Sequence, residues 1–115
     1  MIYIYIAAPY TKPDPVENTH KVIHVANHLV QMGFIPIVPH LSMLWHAITP
    51  KPYEFWLRYD LALLVKCDAV LRLSGESPGA DAEVKEAIAM KKHIFYSLQE
   101  VVLWQQKEER YRQLC

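Results

Sequence analysis

The sequence predicts an α/β protein, a Rossmann-like or flavodoxin-like three-layer sandwich built on a parallel sheet of four, or at most five, strands in the order 2-1-3-4. Short β-rich runs alternate with runs of helical period along the whole chain. Right-handed crossovers between parallel strands leave only a few strand orders open. The 115 residues, of which 52% are apolar and 21% charged, suit one soluble domain spanning residues 1–115.

Four apolar runs are predicted strands, and four runs between or after them are predicted helices. The strands are Ile2 to Ala7, Ile35 to Val38, Ala69 to Leu73 and His93 to Ser97. The helices are Pro15 to about Met32, Tyr53 to about Lys66, Gly79 to about Lys91 and Leu98 to about Arg112. The segment from Pro39 to Pro52, rich in Pro, His and Trp, is a predicted loop.

The apolar residues of two helices fall at the helical period and so predict which side faces the sheet. In the first helix the predicted spine is Ile23, Ala26 and Val30, with Thr19 in line. In the third helix the predicted stripe is Ala80, Val84, Ala87 and Ile88.

Charge and composition exclude several kinds of partner. The formal net charge is zero, so neither nucleic acid nor an anionic membrane is an expected partner. No apolar run approaches the roughly 18 residues of a membrane span, and the N-terminus is typical of a strand rather than a signal peptide. Cys67 and Cys115 are predicted free thiols of a cytoplasmic protein. The glycine spacing fits no Walker or dinucleotide motif, and no cofactor is expected.

Small and polar residues follow the first and third strands, and they predict the position of a ligand site. In open parallel sheets ligands bind at the carboxyl ends of the strands, where the strand order reverses. The segments that meet there are Ala7-Ala8-Pro9-Tyr10 and Ser74 to Gly79. Tyr10 is expected to line the entrance. Ser77 and Gly79 open the third helix, where Ser77 either caps the helix or binds an anion.

Asp60 is the first residue that the pattern marks for chemistry. On a helical wheel it lies among Trp56, Leu57, Leu63, Leu64 and Cys67, which places it in the centre of an apolar stripe. A carboxyl group held there takes up a proton more readily, and a raised pKa suits a general acid. The alternative is a structural aspartate paired with Arg58, Arg72 or a backbone amide.

Glu83 is the second such residue, because it lies about one turn into the third helix. The helix dipole favours a negative charge at that point, and a carboxylate held ionised there can act as a nucleophile. Tyr5 is expected to point its hydroxyl at this carboxylate. Two carboxyl groups in opposite protonation states suit cleavage of a glycosidic bond. The alternatives are a solvated Glu83 at a helix N-terminus and a Tyr5 that only packs.

The remaining marked residues are histidines and aromatic side chains. His20, His24 and His28 share a helix face, which is typical of a polar flank more than of a metal site, and no metal is expected. Trp45 and one histidine of the predicted loop, His46, are candidates to face a substrate, with core packing or a subunit contact as the alternative. Val101 to Trp104 give the last helix excess apolar surface, which predicts a homodimer or higher homo-oligomer.

Taken in order, these segments resemble the nucleoside 2-deoxyribosyltransferase superfamily, which includes the 2′-deoxynucleoside 5′-monophosphate N-hydrolases and several small uncharacterised families. The resemblance covers roughly residues 2–97. Its motifs are Ile4 to Pro9, Arg58-Tyr59-Asp60-Leu61, Cys67-Asp68-Ala69-Val70, and Ser77-Pro78-Gly79 followed by Glu83.

The resemblance implies a role for each matched residue. Glu83 is expected to attack the anomeric carbon, Tyr5 to orient it, and Asp60 to protonate the departing base. Ser77 and Gly79 match a loop that contacts the 5′-phosphate in the hydrolases. Thr11 stands where those hydrolases have an arginine that contacts the phosphate. The expected activity is cleavage or transfer of the N-glycosidic bond of a nucleoside or nucleoside 5′-monophosphate, and the alternative is a non-catalytic nucleotide-binding or sensor module.

Overall fold

The computed structural model describes residues 1–114, and Cys115 lies outside them. Residues 1–114 form four strands, five α-helices and one short 3₁₀ helix at Pro39–Ser42. The strands are β1 (Tyr3–Ala7), β2 (Ile35–Ile37), β3 (Ala69–Arg72) and β4 (His93–Phe95). The helices are α1 (Pro15–Gln31), α2 (Met43–Ile48), α3 (Tyr53–Val65), α4 (Pro78–Ala89) and α5 (Leu98–Leu114).

The four strands form one parallel sheet in the order β2-β1-β3-β4, which confirms the predicted fold class and strand order. Tyr5 of β1 lies between Ile37 of β2 and Val70 of β3 in the register of the sheet. The order reverses at β1, so the chain leaves β1 towards one edge and later returns to its other side. The carboxyl ends of β1 and β3 therefore lie next to each other, which is the usual place for a ligand site.

Apolar side chains on the two faces of the sheet form separate cores. Because side chains alternate along a strand, Ile4 and Ile6 of β1 face one way, and Tyr5 and Ala7 face the other. The first face packs against α1 and α5, and the second packs against α3 and α4. Tyr5 is completely buried. The hydroxyl of a tyrosine in such a place needs a polar partner, and that partner is part of the site described below.

The buried side of α1 differs from the prediction by a rotation of part of a turn. The buried residues are Asn18, Thr19, Val22, Ala26 and Leu29, whereas the predicted spine residues Ile23 and Val30 are about half exposed. Apolar residues occupy both sides of this helix, so the period alone allows two orientations. Similarly, α4 buries Ala80, Val84 and Ala87 as predicted but leaves Ile88 exposed.

The segment from Pro39 to Pro52 is largely helical, and the prediction of a loop was wrong. The 3₁₀ helix at Pro39–Ser42 leads directly into α2, a helix of 6 residues. No residue of α2 is buried, and no side chain caps its N-terminus. The sequence of α2 has neither a polar side nor a start signal, which explains why its period gave no helical prediction.

α5 does not have the excess of exposed apolar side chains that the sequence predicts for it. Val101 is fully buried, and Trp104 packs against the first core beside Phe34 and Phe95, so only Leu103 of that segment is largely exposed. Exposed apolar side chains collect instead near α2 and along α3, namely Leu41, Leu44, Ile48, Leu57, Leu61 and Val65. The homo-oligomer stays a prediction, and α5 no longer supports it.

Candidate active site

Two loops at the carboxyl edge of the sheet form the floor of the candidate site, and they touch each other. The loop after β1 is held by Asn18, whose side-chain amide donates to the carbonyls of Tyr10 and Lys12 at 2.9 Å each. The loop after β3 passes so close to it that a Cβ on Gly75 would lie 2.8 Å from Cγ of Pro9. Gly75 also has a φ of 120°, which L side chains rarely adopt. Only glycine fits there without strain.

Glu83 meets Tyr5 between α4 and the sheet. The Tyr5 hydroxyl donates a short hydrogen bond to Oε2 of Glu83. Burial raises the pKa of Glu83, whereas the Tyr5 hydrogen bond and the charge of Arg72 oppose that rise. Burial and then the charges of Glu83 and Asp60 raise the pKa of Tyr5 well above its usual range. Tyr5 therefore keeps its proton and acts as a donor, and the predicted solvated Glu83 does not occur.

Asp60 of α3 lies close enough to Glu83 for the two charges to interact. Burial, with a smaller effect from the charge of Glu83, raises the pKa of Asp60 from 3.8 to about 7. Its Oδ1 atom is buried and has no hydrogen-bond partner. The predicted structural pairing with Arg72 is not found, because Arg72 pairs with Asp81 at 3.0 Å. Near neutral pH Asp60 is thus a carboxyl group that exchanges its proton readily.

Both carboxyl groups open into one cavity of about 1510 Å³ that lies over the carboxyl ends of β1 and β3. Of the residues predicted to form the site, most line this cavity. They are Ala8, Pro9, Tyr10, His46, Asp60, Ser77, Gly79 and Glu83. Tyr5 lies behind the wall and reaches the site through Glu83. The topology therefore brings segments together that are up to 78 residues apart in sequence.

Ser77 caps α4, which is one of the two roles predicted for it. Its side-chain oxygen accepts a hydrogen bond from the backbone amide of Ala80 at 3.1 Å. The cap places the first turn of α4, and with it Glu83, at a fixed orientation to the sheet. Gly79 follows in the first turn, and the ideal position of a Cβ on it meets nothing closer than 4.0 Å. Gly79 thus leaves room beside the cavity rather than relieving a clash.

His40 supports the loop after β1 from the other side. It is buried, and its Nε2 atom lies 2.8 Å from the carbonyl oxygen of Pro9, to which it donates. Burial lowers the pKa of His40, so the ring is neutral and its buried Nδ1 atom is an acceptor without a partner. Its ring also meets the edge of Tyr10, with centroids 5.4 Å apart. His40 and Asn18 together fix the turn from Pro9 to Lys12.

The two loop aromatics predicted to face a substrate differ in position. His46 lines the cavity, and its Nδ1 atom accepts a hydrogen bond from Nε1 of Trp56 at 2.8 Å. Trp45 lies outside the cavity wall and packs edge-on against Trp56, with centroids 5.3 Å apart. Trp56 itself lines the cavity. Trp45 therefore supports the wall from behind.

Several residues of the site carry no signal in the sequence. Asn18 looks like any polar residue near a helix start, and Arg72 looks like the solvated end of a strand. Their roles follow only from their hydrogen-bond partners in the fold. These partners are backbone carbonyls and, for Arg72, also one carboxylate. Lys21 and Lys51 also line the cavity. Their spacing from the other site residues follows no local period.

The described residues suggest neither a metal site nor a membrane segment. Within residues 1–114 no cluster of three or more His, Cys, Asp or Glu side chains is arranged to hold a metal ion. His20 and His24 lie with their Nε2 atoms 3.3 Å apart on the exposed side of α1. No helix in this range combines the length and apolar character needed to cross a membrane. Cys67 is buried, which raises the pKa of its thiol to about 11.

The molecule is a parallel α/β protein with two half-buried carboxyl groups at the switch point of its sheet, and a comparison with solved structures supports the fold. The 2-deoxyribosyltransferase of the psychrotolerant bacterium Bacillus psychrosaccharolyticus has a similar structure, with a TM-score of 0.59, 18% sequence identity, and coverage of 80% of this chain and 69% of that one. No curated protein matches the chain.

The family follows from the sequence itself. Residues 2–97 match the family model described as "Domain of unknown function (DUF7768)", and the chain belongs to that family. The match covers β1 to β4 and therefore every residue of the cavity wall.

Proposed function

We propose that this protein cleaves or transfers the N-glycosidic bond of a nucleoside or nucleoside 5′-monophosphate, with Glu83 as the nucleophile and Asp60 as the general acid. One observation carries the proposal. Two half-buried carboxyl groups on different helices share a cavity, and one of them is hydrogen-bonded to a buried tyrosine while the pKa of the other is raised to about 7. The fold shared with a 2-deoxyribosyltransferase supports it.

In the first step the bond between C1′ and the base nitrogen breaks while a bond to Glu83 forms. Tyr5 holds Oε2 of Glu83, which leaves Oε1 to attack C1′. The electron pair of the broken bond moves to the base nitrogen, which takes the proton of Asp60. The products are a free base, an ionised Asp60 and a glycosyl ester on Glu83.

In the second step Asp60 reverses its role. As a carboxylate it accepts a proton from a water molecule, whose oxygen attacks C1′ and releases the sugar together with ionised Glu83. Alternatively, the nitrogen of a second base attacks C1′ and gives up its proton to Asp60. Both routes restore the starting protonation states, so one geometry serves hydrolysis and transfer.

The cavity is large enough to hold a nucleoside and leaves additional volume free. Small-ligand cavities usually measure about 300–1,000 Å³, and this cavity of about 1510 Å³ is larger. The aromatic ring of Trp56 and the ring of Tyr10 line it, and both offer a surface on which a base can stack. The added volume can hold a phosphate or a second base.

A non-catalytic nucleotide-binding or sensor module is the second candidate, and the lining of the cavity at Thr11 favours it. Thr11 lies where the hydrolases that the sequence resembles have a phosphate-binding arginine. In this case ligands stabilise the protein and remain intact.

The deciding experiment measures release of free base by chromatography from a panel of deoxynucleosides and their monophosphates, each alone and with a second base. Glu83→Gln keeps the size of the side chain and removes the nucleophile, and Glu109→Gln on α5 lies outside the cavity wall as a matched control. We expect release by the parent protein and by Glu109→Gln, and a loss of at least about 1,000-fold in Glu83→Gln.

The same samples separate the two candidates. Equal release by the parent protein and Glu83→Gln would exclude Glu83 as the nucleophile. A rise in melting temperature with intact ligand across the panel would support the binding module instead.

A further inference from the structure

Arg72 at the carboxyl end of β3 binds three acceptors, and the residues of two of them, Leu73 and Gly75, line the cavity of the candidate site. Its guanidinium donates to the carbonyl of Leu73, to the carbonyl of Gly75 at 2.8 Å and to Oδ1 of Asp81 at 3.0 Å. The side chain is only 10% exposed, whereas that of Asp81 is 72% exposed. A planar guanidinium holds its donors in a rigid fork that fixes the directions of its acceptors, whereas the three donors of a lysine ammonium rotate on a flexible stem.

These bonds fix the loop after β3 between its two ends. Leu73 and Gly75 are the beginning of that loop, and Asp81 lies in the first turn of α4. Gly75 is also the residue that packs against Pro9. Arg72 therefore sets the position of the loop relative to both the sheet and α4, the helix that carries Glu83.

Arg72 also acts on Glu83 through its charge. The groups that influence Glu83 come from three elements packed against α4, namely Tyr5 of β1, Asp60 of α3 and Arg72 of β3. Of these, Arg72 alone is a cation, and it favours the ionised form of Glu83. Asp81, bound directly to Arg72, offsets part of that positive charge.

We propose that Arg72 is a positioning residue that holds the loop after β3 and the first turn of α4 in place and acts on Glu83 through its positive charge, and that Asp81 moderates that charge. The inference rests on the proposed function for its meaning, because an ionised Glu83 matters only to a nucleophile. The geometry itself does not depend on turnover, and neither does the test below.

Removal of the charge of Arg72 and removal of the charge of Asp81 should shift the pKa of Glu83 in opposite directions. This difference in sign distinguishes a charge effect from a structural one. Removing the charge of Arg72 should raise the pKa of Glu83 by about one unit, since a neighbouring opposite charge lowers a carboxyl pKa by roughly 1–3 units. Removing the charge of Asp81 frees Arg72 from its partner and should lower the pKa of Glu83, by less than about half a unit because Asp81 is exposed. Simple loosening of the loop would move both variants in the same direction.

The experiment is a pH titration by NMR of protein labelled with ¹³C in the glutamate carboxyl groups, without substrate. The Glu83 signal is the one missing in Glu83→Gln. Arg72→Gln, Asp81→Asn and Arg72→Lys are compared with the parent protein. Arg72→Lys keeps the charge but loses the fork of donors, so the pKa of Glu83 should stay within about half a unit, while amide exchange in the loop after β3 speeds up.

Opposite shifts in Arg72→Gln and Asp81→Asn support the proposal whether or not the protein turns over a nucleoside. Shifts of the same sign, or no shift in either, would overturn it. If Arg72→Gln does not fold, Asp81→Asn and Arg72→Lys still test the proposal. A rise in the pKa of Glu83 in Asp81→Asn would contradict it. Where base release is measurable, the acid limb of its pH profile should move with the titrated pKa of Glu83.

Discussion

Replacement of Asp60 by asparagine should stabilise the protein at alkaline pH while it removes the proton donor. Asp60 is half-buried, and burial with the charge of Glu83 raises its pKa from 3.8 to about 7. The folded protein therefore holds the proton of Asp60 more tightly than the unfolded chain does. The stability from this group is complete below about pH 4, and it is lost as the pH rises to about 7. Asparagine has no proton to lose.

The size of the effect follows from the two pKa values. Between pH 5 and pH 8 the shift corresponds to at most about 2.6 kcal/mol of unfolding free energy. Because Asp60 is partly exposed, solvent screening reduces the expected difference to about 1 kcal/mol. Asp60→Asn should thus gain about 1 kcal/mol relative to the parent protein when the pH is raised from 5 to 8.

Urea unfolding of both proteins at pH 5 and pH 8 measures this difference directly, and base release is assayed on the same samples. Asp60→Asn is expected to gain stability relative to the parent protein as the pH rises and to lose base release. A difference between the two proteins that does not change with pH, or a relative loss at pH 8, would show that folding does not raise the pKa of Asp60. Asp60 would then lack the raised pKa on which its role as a general acid depends.

Substitutions at three further positions test the parts of the site separately. Tyr5→Phe removes the hydrogen bond to Glu83, which should lower kcat/KM by about 10- to 100-fold and move the acid limb of the pH profile upwards; an unchanged profile would count against it. Gly75→Ala places a Cβ 2.8 Å from Pro9 at a φ of 120° and should cost at least about 1–3 kcal/mol in urea unfolding, whereas free tolerance of alanine would refute the contact. Ser77→Ala should lose about 1 kcal/mol of stability and Ser77→Gly only a few tenths, and equal losses would exclude the cap.

The sequence allowed the fold to be predicted because each strand and most helices agree with their local pattern. Four short apolar runs alternate with helical runs, and the crossover rule then limits the strand order. The predictions were wrong for helices that have apolar residues on more than one side. On α1 both Val22 and Ile23 fit an apolar stripe, and only packing against the sheet decides between them. No residue of α2 is buried, so its apolar residues do not recur at the helical period.

The site could be predicted only where chemistry and pattern coincide. A carboxyl group such as Asp60 inside an apolar stripe is visible in sequence, because burying it there has a cost. The hydrogen bond between Tyr5 and Glu83 required the parallel sheet to be known first, as the residues are 78 apart. Asn18, His40 and Arg72 act mainly on backbone carbonyls, and any residue type supplies a carbonyl. Their roles depend on the tertiary fold.

The formation of a glycosyl ester on Glu83 is the most direct test of a nucleophile in this cavity. The parent protein is mixed with the deoxynucleoside or monophosphate that releases base fastest, quenched in acid within milliseconds, digested and examined by peptide mass spectrometry. The peptide containing Glu83 should carry one added sugar residue, and the adduct should vanish in Glu83→Gln. Release of base with the adduct on another residue, or with none under conditions where the first step is faster than the second, would contradict a covalent role for Glu83.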